Sequence, residues 1–285
     1  MKKQTINPVR NSREISASPQ ELIPAGNQYR KRRGIISNGI KIKGYNTAHE
    51  TSQREEFFQT FKKCPIPANE QLSNLGLFMR RQDLSRLLFM NDLYKKIIDV
   101  HGIVVEFGVR WGRNLALFES FRGMYESFNH RRKIVGFDTF EGFPSVHAKD
   151  GKSDIASMGA YATTEKYEDY LAKVLDYHEK ESPLSHIKKY QLIKGNAVTE
   201  VRRYLKQNPE TIIAFAYFDF DIYEPTKKCL EAIKGHLTKG SIIGFDELNS
   251  HDFPGETIAL KEVFGLDAYK IIRSPHSVQS YIVIE

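Results

Sequence analysis

The sequence predicts an α/β fold: a mostly parallel sheet with helices on both faces, closed by an antiparallel hairpin near the C-terminus. Three observations favour it. Residues 103–142 follow the order strand, glycine turn, helix, strand and acid, which is typical of a nucleotide-binding βαβ unit. Residues 211–220, TIIAFAYFDF, are almost entirely apolar, as in a strand buried on both faces. The last two predicted strands, 269–272 and 278–284, are too close in sequence for a parallel crossover.

The N-terminal part of the chain differs in composition from the rest. Residues 1–63 contain 13 Lys and Arg against 5 Asp and Glu, although the whole chain carries a formal charge of only +7. Residues 1–50 show no helical or strand period, so residues 1–63 are predicted to be a basic extension with a short helix at 54–63. Such a segment is either a solvated tail or a docking arm for an anionic partner.

Residues 64–102 are predicted to be a helical lead-in to a sheet domain that spans residues 103–285. Apolar residues recur at steps of three and four between residues 77 and 100, which indicates an amphipathic helix. The predicted buried stripe is Leu84, Leu87, Leu88, Leu93, Ile97 and Ile98, and the predicted solvent face is Arg80, Arg81, Arg86, Lys95 and Lys96.

Strands and helices alternate between the first βαβ unit and the C-terminal hairpin. Residues 145–162, rich in Gly, Ser, Lys and Asp, form a loop long enough to be a functional lid. The other predicted elements are helices at 164–179, 198–206, 224–236 and 255–264 and strands at 190–193, 211–220 and 240–245.

The composition excludes several classes of protein. The chain has 285 residues, of which 40% are hydrophobic and 27% charged, which is ordinary for a globular protein. It contains no run of about 18 apolar residues, so no membrane span is expected. Its only cysteines, Cys64 and Cys229, predict neither a disulfide framework nor a structural zinc site, and this usage is compatible with the cytoplasm.

The glycine turn indicates S-adenosylmethionine rather than NAD as the cofactor. Dinucleotide-binding turns carry the pattern GxGxxG, whereas this turn has only Gly108 and Gly112, preceded by Glu106. Asp138 ends the second strand, where a carboxylate can accept the hydroxyls of a ribose. The C-terminal hairpin agrees, because it is the arrangement of Rossmann-like class I methyltransferases and is absent from NAD-binding Rossmann domains.

Six acids follow the predicted strands at their carboxyl ends, where open α/β sheets bind ligands. They are Glu106, Asp138, Asp219, Asp221, Asp246 and Glu247. Asp219, Asp246 and Glu247 end neighbouring strands and offer the hard oxygen ligands that Mg²⁺ prefers, which predicts a divalent-metal site. Such an ion would lower the pKa of an acceptor hydroxyl, and a nearby carboxylate would take its proton. The candidate general bases are Asp219, Asp221 and, more weakly, His251 in the loop after the fifth strand.

Three segments resemble the motifs of macrocin O-methyltransferase-like (TylF-type) enzymes. They are Glu106-Phe107-Gly108-Val109, the run GFDTFEGFP at 136–144 and the run DFDIYEPT at 219–226. Members of this family are class I enzymes that depend on S-adenosylmethionine and Mg²⁺ and typically methylate sugar hydroxyls in natural-product biosynthesis. The resemblance covers residues 77–285 and leaves the first sixty or so residues outside.

The resemblance implies roles for individual residues. The cofactor-binding residues would be Glu106, Gly108 and Gly112 at the methionine end, Asp138 at the ribose, Thr139 and Phe140 beside the adenosine, and Asn196 and Ala197 near the adenine. Asp219 corresponds to the first metal-binding acid, whereas Asp246-Glu247 stands where the family usually has two aspartates. The family also implies a homo-oligomer.

Three hypotheses on function follow from the sequence. The first is a Mg²⁺-dependent O-methyltransferase that acts on a hydroxyl of a sugar or glycosylated small molecule, with no nucleic-acid partner. The second is a methyltransferase of another acceptor, such as a nitrogen or a macromolecule docked by the basic N-terminus. The third is a non-catalytic nucleotide-binding protein. The acids after the fourth and fifth strands disfavour the third hypothesis, and the lack of a recognised RNA module disfavours the second.

Overall fold

The computed structural model describes residues 47–151 and 157–285 of the chain. The described residues belong to two compact units, residues 47–78 and residues 79–285. Most of the predicted basic extension, up to residue 46, lies outside the described residues, and so does the middle of the predicted lid, residues 152–156. Of the helices in the described ranges, none has the length and apolar character needed to cross a membrane.

The first unit is helical. It contains α1 (Ala48–Lys62), α2 (Ala68–Gln71) and a 3-10 helix (Leu72–Phe78). Helix α1 begins at Ala48 rather than at residue 54 because Thr47 and Glu50 form a capping box. The Thr47 hydroxyl accepts from the backbone N–H of Glu50 at 3.2 Å, and the Glu50 carboxylate accepts from the N–H of Thr47 at 2.7 Å.

The second unit is an α/β domain. Its helices are α3 (Arg81–Lys96), α4 (Arg113–Tyr125), α5 (Tyr167–Glu181), α6 (Ala197–Gln207), α7 (Tyr223–Ile233) and α8 (Gly255–Phe264). Its strands are β1 (Ile103–Phe107), β2 (Ile134–Asp138), β3 (Tyr190–Lys194), β4 (Ile213–Phe218), β5 (Leu237–Phe245), β6 (Ile272–Arg273) and β7 (Ser280–Val283). Short 3-10 turns lie at Ala148–Asp150 and Lys234–His236.

The seven strands form one sheet in the order β3-β2-β1-β4-β5-β7-β6. The pairs from β3 to β5 are parallel, and β7 pairs antiparallel with both β5 and β6. This topology confirms the predicted mostly parallel sheet with a C-terminal antiparallel hairpin. Because β1 and β4 are neighbours at its centre, the loops that follow them meet at the same edge of the sheet.

The sheet is buried on both faces by two separate hydrophobic clusters. Alternate residues of β4 point to opposite faces, so Phe215 and Tyr217 pack with α3, α4 and α5, whereas Ala216 and Phe218 pack with α6, α7 and α8. This two-sided burial explains why the strand reads as an apolar run without a polar alternation.

Helix α3 is shorter than predicted, and its buried stripe differs from the predicted one. Its buried residues are Phe89, Met90, Leu93 and Tyr94, while Leu84, Leu88 and Ile98 stay more than a third exposed. The stripe continues toward the N-terminus through Arg86, which precedes Phe89 and Met90 by three and four residues. The prediction that Arg86 faces solvent was therefore wrong, and its side chain is only 17% exposed.

Candidate active site

A cavity of about 420 Å³ opens at the carboxyl ends of the central strands, within the second unit. It is lined by residues from the loops after β1, β2, β3, β4 and β5, by Tyr161 and Pro225, and by Arg86 of α3. Of the residues predicted from the sequence, those lining the cavity are Gly108, Asp138, Thr139, Asn196, Ala197, Asp219, Asp221, Asp246 and Glu247. Glu106, Gly112 and Phe140 lie behind its wall, and His251 lies outside it.

The turn after β1 requires glycine at two positions. Gly108 has a φ of 91°, and a Cβ built there would overlap the carbonyl oxygen of Asp219. Gly112 has a φ of 75° and precedes α4, where a Cβ would overlap the side chain of Leu171. Both conformations are costly for other residues. The turn after β1 thus runs directly against the backbone that follows β4. This contact joins the half of the site formed by the turns after β1 and β2, the cofactor half, to the half formed by the loops after β4 and β5, the acceptor half.

Glu106 and Asn114 form a buried polar pair below this turn. The side chain of Glu106 is only 1% exposed, and its Oε1 accepts a hydrogen bond from Nδ2 of Asn114 at 2.7 Å. Glu106 Oε2 and Asn114 Oδ1 are buried with no hydrogen-bond partner among the described residues. Burial raises the pKa of Glu106 well above its usual value. Two buried oxygens of this pair therefore remain unsatisfied at the side of the cavity that Asn114 lines.

Asp138 organises the turn after β2. One of its carboxylate oxygens accepts from the backbone N–H of Arg110 at 2.7 Å, and the other accepts from that of Phe140 at 2.6 Å. Burial raises the pKa of this carboxyl, although the backbone donors oppose the shift. Thr139 donates to the carbonyl of Gly142 at 2.8 Å, which closes the same turn. Phe140, predicted to flank the adenosine, is not among the residues that line the cavity; it is 4% exposed and belongs to the hydrophobic cluster of α3, α4 and α5.

Asn196 and Ala197 lie where β3 leads into α6. The Asn196 side chain accepts from the backbone N–H of Val198 at 3.0 Å and so caps the helix. Both residues line the cavity on the side of β2 and β3. The resemblance implied a place near the adenine for these two residues, and that role stays a prediction.

Arg86 bridges two acids of the cluster Asp219, Asp221, Asp246 and Glu247, which lies after β4 and β5. Its guanidinium donates to Asp219 at 2.5 Å and to Asp246 at 2.9–3.0 Å. Asp246 also accepts from the hydroxyl of Tyr217 at 2.6 Å and from the side-chain amide of Gln279 at 3.0 Å. The strand-end acids are therefore held by a network that reaches from α3 through β4 to the C-terminal hairpin.

Burial and neighbouring negative charges raise the pKa values of three acids in this cluster. Burial, followed by the charge of Asp246, raises the pKa of Asp219 to about 6. Burial and the charges of Asp246 and Asp219 raise the pKa of Glu247 to about 7. Burial and the charge of Asp219 likewise raise the pKa of Asp221 well above its usual value. One guanidinium therefore does not neutralise the cluster.

The predicted metal ligands do not form a coordination set in this geometry. Within residues 47–151 and 157–285, no three acidic, histidine or cysteine side chains converge closely enough to hold an ion. Asp219 and Asp246 face each other through Arg86 instead. The imidazole of His251 is fully exposed and lies 3.6 Å from the carboxylate of Asp252, so the structure does not bring this candidate base to the cavity.

Sequence reasoning missed Arg86, Tyr217 and Gln279. For Arg86 a signal was present, because it occupies the helical face of Phe89 and Met90. Tyr217 lies in β4 and Gln279 directly precedes β7, in segments with an ordinary buried pattern, and only the sheet order brings both of them to Asp246.

Similar solved structures are methyltransferases. The crystal structure of CalS11, a calicheamicin methyltransferase, is 42% identical, and the match covers 86% of this chain and 97% of that chain with a TM-score of 0.82. The apo structure of CalS11, a TDP-rhamnose 3'-O-methyltransferase of calicheamicin biosynthesis, is 40% identical over 84% of this chain and 96% of that chain, with a TM-score of 0.74. The O-methyltransferase NovP shares 18% identity over 70% of this chain and 79% of that chain, with a TM-score of 0.51, which shows a likeness of fold alone. No family model and no curated protein matches the sequence.

Proposed function

We infer the reaction from one premise: this chain belongs to the family of S-adenosylmethionine-dependent methyltransferases. The proposed reaction is transfer of the cofactor's methyl group to a hydroxyl of a sugar or sugar-containing small molecule in a biosynthetic pathway. The observation that supports it best is the carboxylate-rich acceptor half of the cavity, which lies beside a cofactor half built from the turns after β1 and β2. Within the family, the FDTFEGFP and DFDIYEPT runs favour the TylF-type group.

The cofactor half fits S-adenosylmethionine. Asn114 lines the cavity and binds Glu106 directly behind it. Glu106 Oε2 and Asn114 Oδ1 have no hydrogen-bond partner among the described residues, which suits the α-ammonium group at the methionine end of the cofactor. Each oxygen of Asp138 accepts one backbone hydrogen bond and retains a lone pair that a ribose hydroxyl can donate to. When bound, the cofactor supplies an electrophilic methyl group, and these residues orient it.

We expect Asp138→Asn to weaken S-adenosylmethionine binding roughly tenfold to a hundredfold, because hydrogen bonds to charged groups contribute about 1.5–3 kcal/mol. Isothermal titration calorimetry measures the dissociation constant. Asp99→Asn is the matched control, since Asp99 is exposed just before β1, at the opposite end of that strand from the cavity. A dissociation constant within twofold of the wild-type value would remove Asp138 from the cofactor site.

The acceptor half offers the oxygen donors that a hard divalent cation prefers, although Arg86 lies between Asp219 and Asp246 in this structure. Asp219, Asp246 and Glu247 supply carboxylate oxygens at one rim of the cavity, and Arg86 supplies a single positive charge to them. These three acids would hold Mg²⁺, which would polarise the acceptor hydroxyl as a Lewis acid. Arg86 already holds the carboxylates of Asp219 and Asp246 close together.

We assign the general base to Asp221. It lines the cavity and is 9% exposed, and among the described residues it has no salt-bridge partner, whereas Asp219 and Asp246 both accept from Arg86. A carboxylate in this position can accept the proton that the acceptor hydroxyl loses. His251 has no role in this proposal because it lies outside the cavity.

A nucleotide-linked sugar is the acceptor that we favour. The 40% identical CalS11 is a TDP-rhamnose 3'-O-methyltransferase. Arg110 and Arg113 line the same cavity, and their exposed guanidinium groups suit the negative charge of a diphosphate. Arg113 is 50% exposed and lies 3.7 Å from Asp83, its only recorded ion-pair partner in the described part of the chain.

The reaction is tested by mass spectrometry on a panel of acceptors incubated with S-adenosylmethionine and Mg²⁺. We expect a single methyl group to be added to a nucleoside-diphosphate sugar, and activity to be lost in EDTA and restored by added Mg²⁺. Heat-inactivated enzyme is the control. Undiminished turnover in EDTA would remove the metal from the proposal, and methylation of an amine or a polynucleotide instead would overturn the assigned reaction.

Assembly and location are proposals of the same kind. The family resemblance supports a homo-oligomer, which light scattering on the purified protein tests. Cys64 and Cys229 are both free thiols, which supports a reducing compartment such as the cytoplasm.

A further inference from the structure

Glu256 is a fully buried acid that the proposed reaction does not use. It lies in the first turn of α8, and its side chain has no solvent exposure. Its Oε2 accepts from the backbone N–H of Glu247 at 3.0 Å. Its Oε1 receives longer contacts from the backbone N–H groups of Phe220 at 3.3 Å and Asp221 at 3.4 Å.

The three donors belong to two different loops. Phe220 and Asp221 follow β4, whereas Glu247 follows β5. These loops carry the acids of the acceptor half, and each oxygen of Glu256 binds one of them. A single carboxylate therefore ties together the two backbone segments whose separation sets the distance between Asp221 and Glu247.

The neighbouring glycine allows this close approach. A Cβ built on Gly255 would lie 2.5 Å from the backbone nitrogen of Tyr223 and 3.0 Å from the carboxylate of Asp150. Asp150 itself accepts from that nitrogen at 2.5 Å, so the start of α8 packs directly against the start of α7. A side chain at this position would force the start of α8, which carries Glu256, away from the start of α7.

The loop after β4 has a strained backbone at Asp221 that contacts with other residues must hold in place. Asp221 has a φ of 62°, in the left-handed region that is unfavourable for a residue with a side chain. Backbone held in this way persists only when surrounding contacts fix it. The contact between Asp221 N–H and Glu256 is one of these contacts.

We propose that Glu256 is a positioning residue, which holds the loops after β4 and β5 at the separation that methyl transfer to the acceptor requires. The proposal rests on the proposed function, because it assigns Glu256 to the acceptor half of the same site. Glu256 itself touches neither acceptor nor cofactor and acts through the backbone of Asp221 and Glu247.

The test compares Glu256→Gln and Glu256→Asp with the wild-type enzyme. A glutamine offers one acceptor oxygen and turns its NH₂ group toward the N–H donors of one loop, while an aspartate is too short to reach both loops. Since a misplacement of about 1 Å can reduce turnover roughly a hundredfold, we expect kcat to fall by about tenfold to a hundredfold. The dissociation constant of S-adenosylmethionine should stay within twofold, because none of the backbone groups that Glu256 binds belongs to a residue assigned to the cofactor.

Glu262→Gln is the control in the same helix, because Glu262 is partly exposed and pairs with Lys149 and Lys227. Equal losses of kcat in Glu262→Gln and Glu256→Gln would overturn the proposal, since they would reflect a general weakening of α8. The proposal would also be overturned if the fractional loss of activity in the Glu256 variants were fully explained by a smaller fraction of folded enzyme. Amide hydrogen exchange followed by NMR gives a readout independent of activity: the N–H groups of Asp221 and Glu247 should be protected in the wild type and lose protection in Glu256→Gln.

If neither variant folds, the wild-type exchange rates still test the proposal. Exchange of the Asp221 and Glu247 amides as fast as exposed loop amides would show that Glu256 does not hold them, and would overturn it. If instead these amides are protected but no acceptor in the panel is methylated, the proposed function has failed while the tie between the loops stands. The two failures are thus distinguishable.

Discussion

Asp219→Asn should nearly abolish methyl transfer while leaving S-adenosylmethionine binding almost unchanged. The substitution keeps the shape of the side chain but removes one of the two carboxylates that bind Arg86, and with it a proposed metal ligand. Loss of a group that activates the acceptor commonly costs about a hundredfold to ten-thousandfold in rate, and we expect kcat to fall within that range. Turnover with isotopically labelled cofactor measures it, and calorimetry measures cofactor binding.

The control for this prediction is Asp99→Asn, which removes an exposed carboxylate far from the cavity. Its kcat should match that of the wild type. If Asp219→Asn retained more than a tenth of the wild-type rate, the acceptor half would have been assigned to the wrong acids. If both cofactor affinity and rate collapsed together, Asp219 would instead be supporting the whole site.

Gly108→Ala should destabilise the protein and disable both halves of the site together. Its φ of 91° costs alanine about 1–2 kcal/mol, and the overlap of the new Cβ with the Asp219 carbonyl adds about 1–3 kcal/mol. Because the turn after β1 and the loop after β4 touch at this point, relief of the overlap must move one of them. We expect a loss of about 2–5 kcal/mol in the free energy of unfolding, measured by urea denaturation, and weaker cofactor binding.

Gly159→Ala is the control that separates the two causes. Gly159 has a φ of 79°, but no atom of the described residues would lie within 4 Å of an added Cβ, so alanine there is expected to bear only the conformational cost. The difference between the two variants therefore reports the steric overlap at Gly108. Equal destabilisation in both variants would mean that the β1 turn does not press on Asp219.

The sequence predicted a mostly parallel sheet with a closing hairpin because these features depend on the hydrophobicity and spacing of whole segments rather than on single residues. The apolar run that became β4 needed burial on both faces, and the short link between the last two strands excluded a parallel crossover. Element ends were less predictable. The start of α1 depends on one pair of polar residues, Thr47 and Glu50, and β6 keeps only the two residues Ile272–Arg273.

The candidate site was predictable in its strand-end acids but not in what holds them. Asp219 and Asp246 follow directly from strand ends, which can be located along the chain. Arg86 of α3 binds these two carboxylates, and Glu256 of α8 binds the backbone N–H groups of Asp221 and Glu247 beside them. Both contacts depend on how the helices pack on the sheet. Arginine in an amphipathic helix is usually on the solvent face, which is why Arg86 was predicted there. The helical periodicity, which places Arg86 on the face of Phe89, was the better guide.

The bridge that Arg86 makes between Asp219 and Asp246 limits how this sequence can drift during evolution. The side chain of Arg86 is 17% exposed, and those of Asp219 and Asp246 are 27% and 9% exposed. Loss of any one of these three side chains would therefore leave a largely buried charge without its partner. Removing one partner of a buried ion pair costs about 3–5 kcal/mol, a large part of the stability of a typical domain. Positions 86, 219 and 246 should therefore covary among homologues, kept together or replaced together, although 133 residues separate the first two.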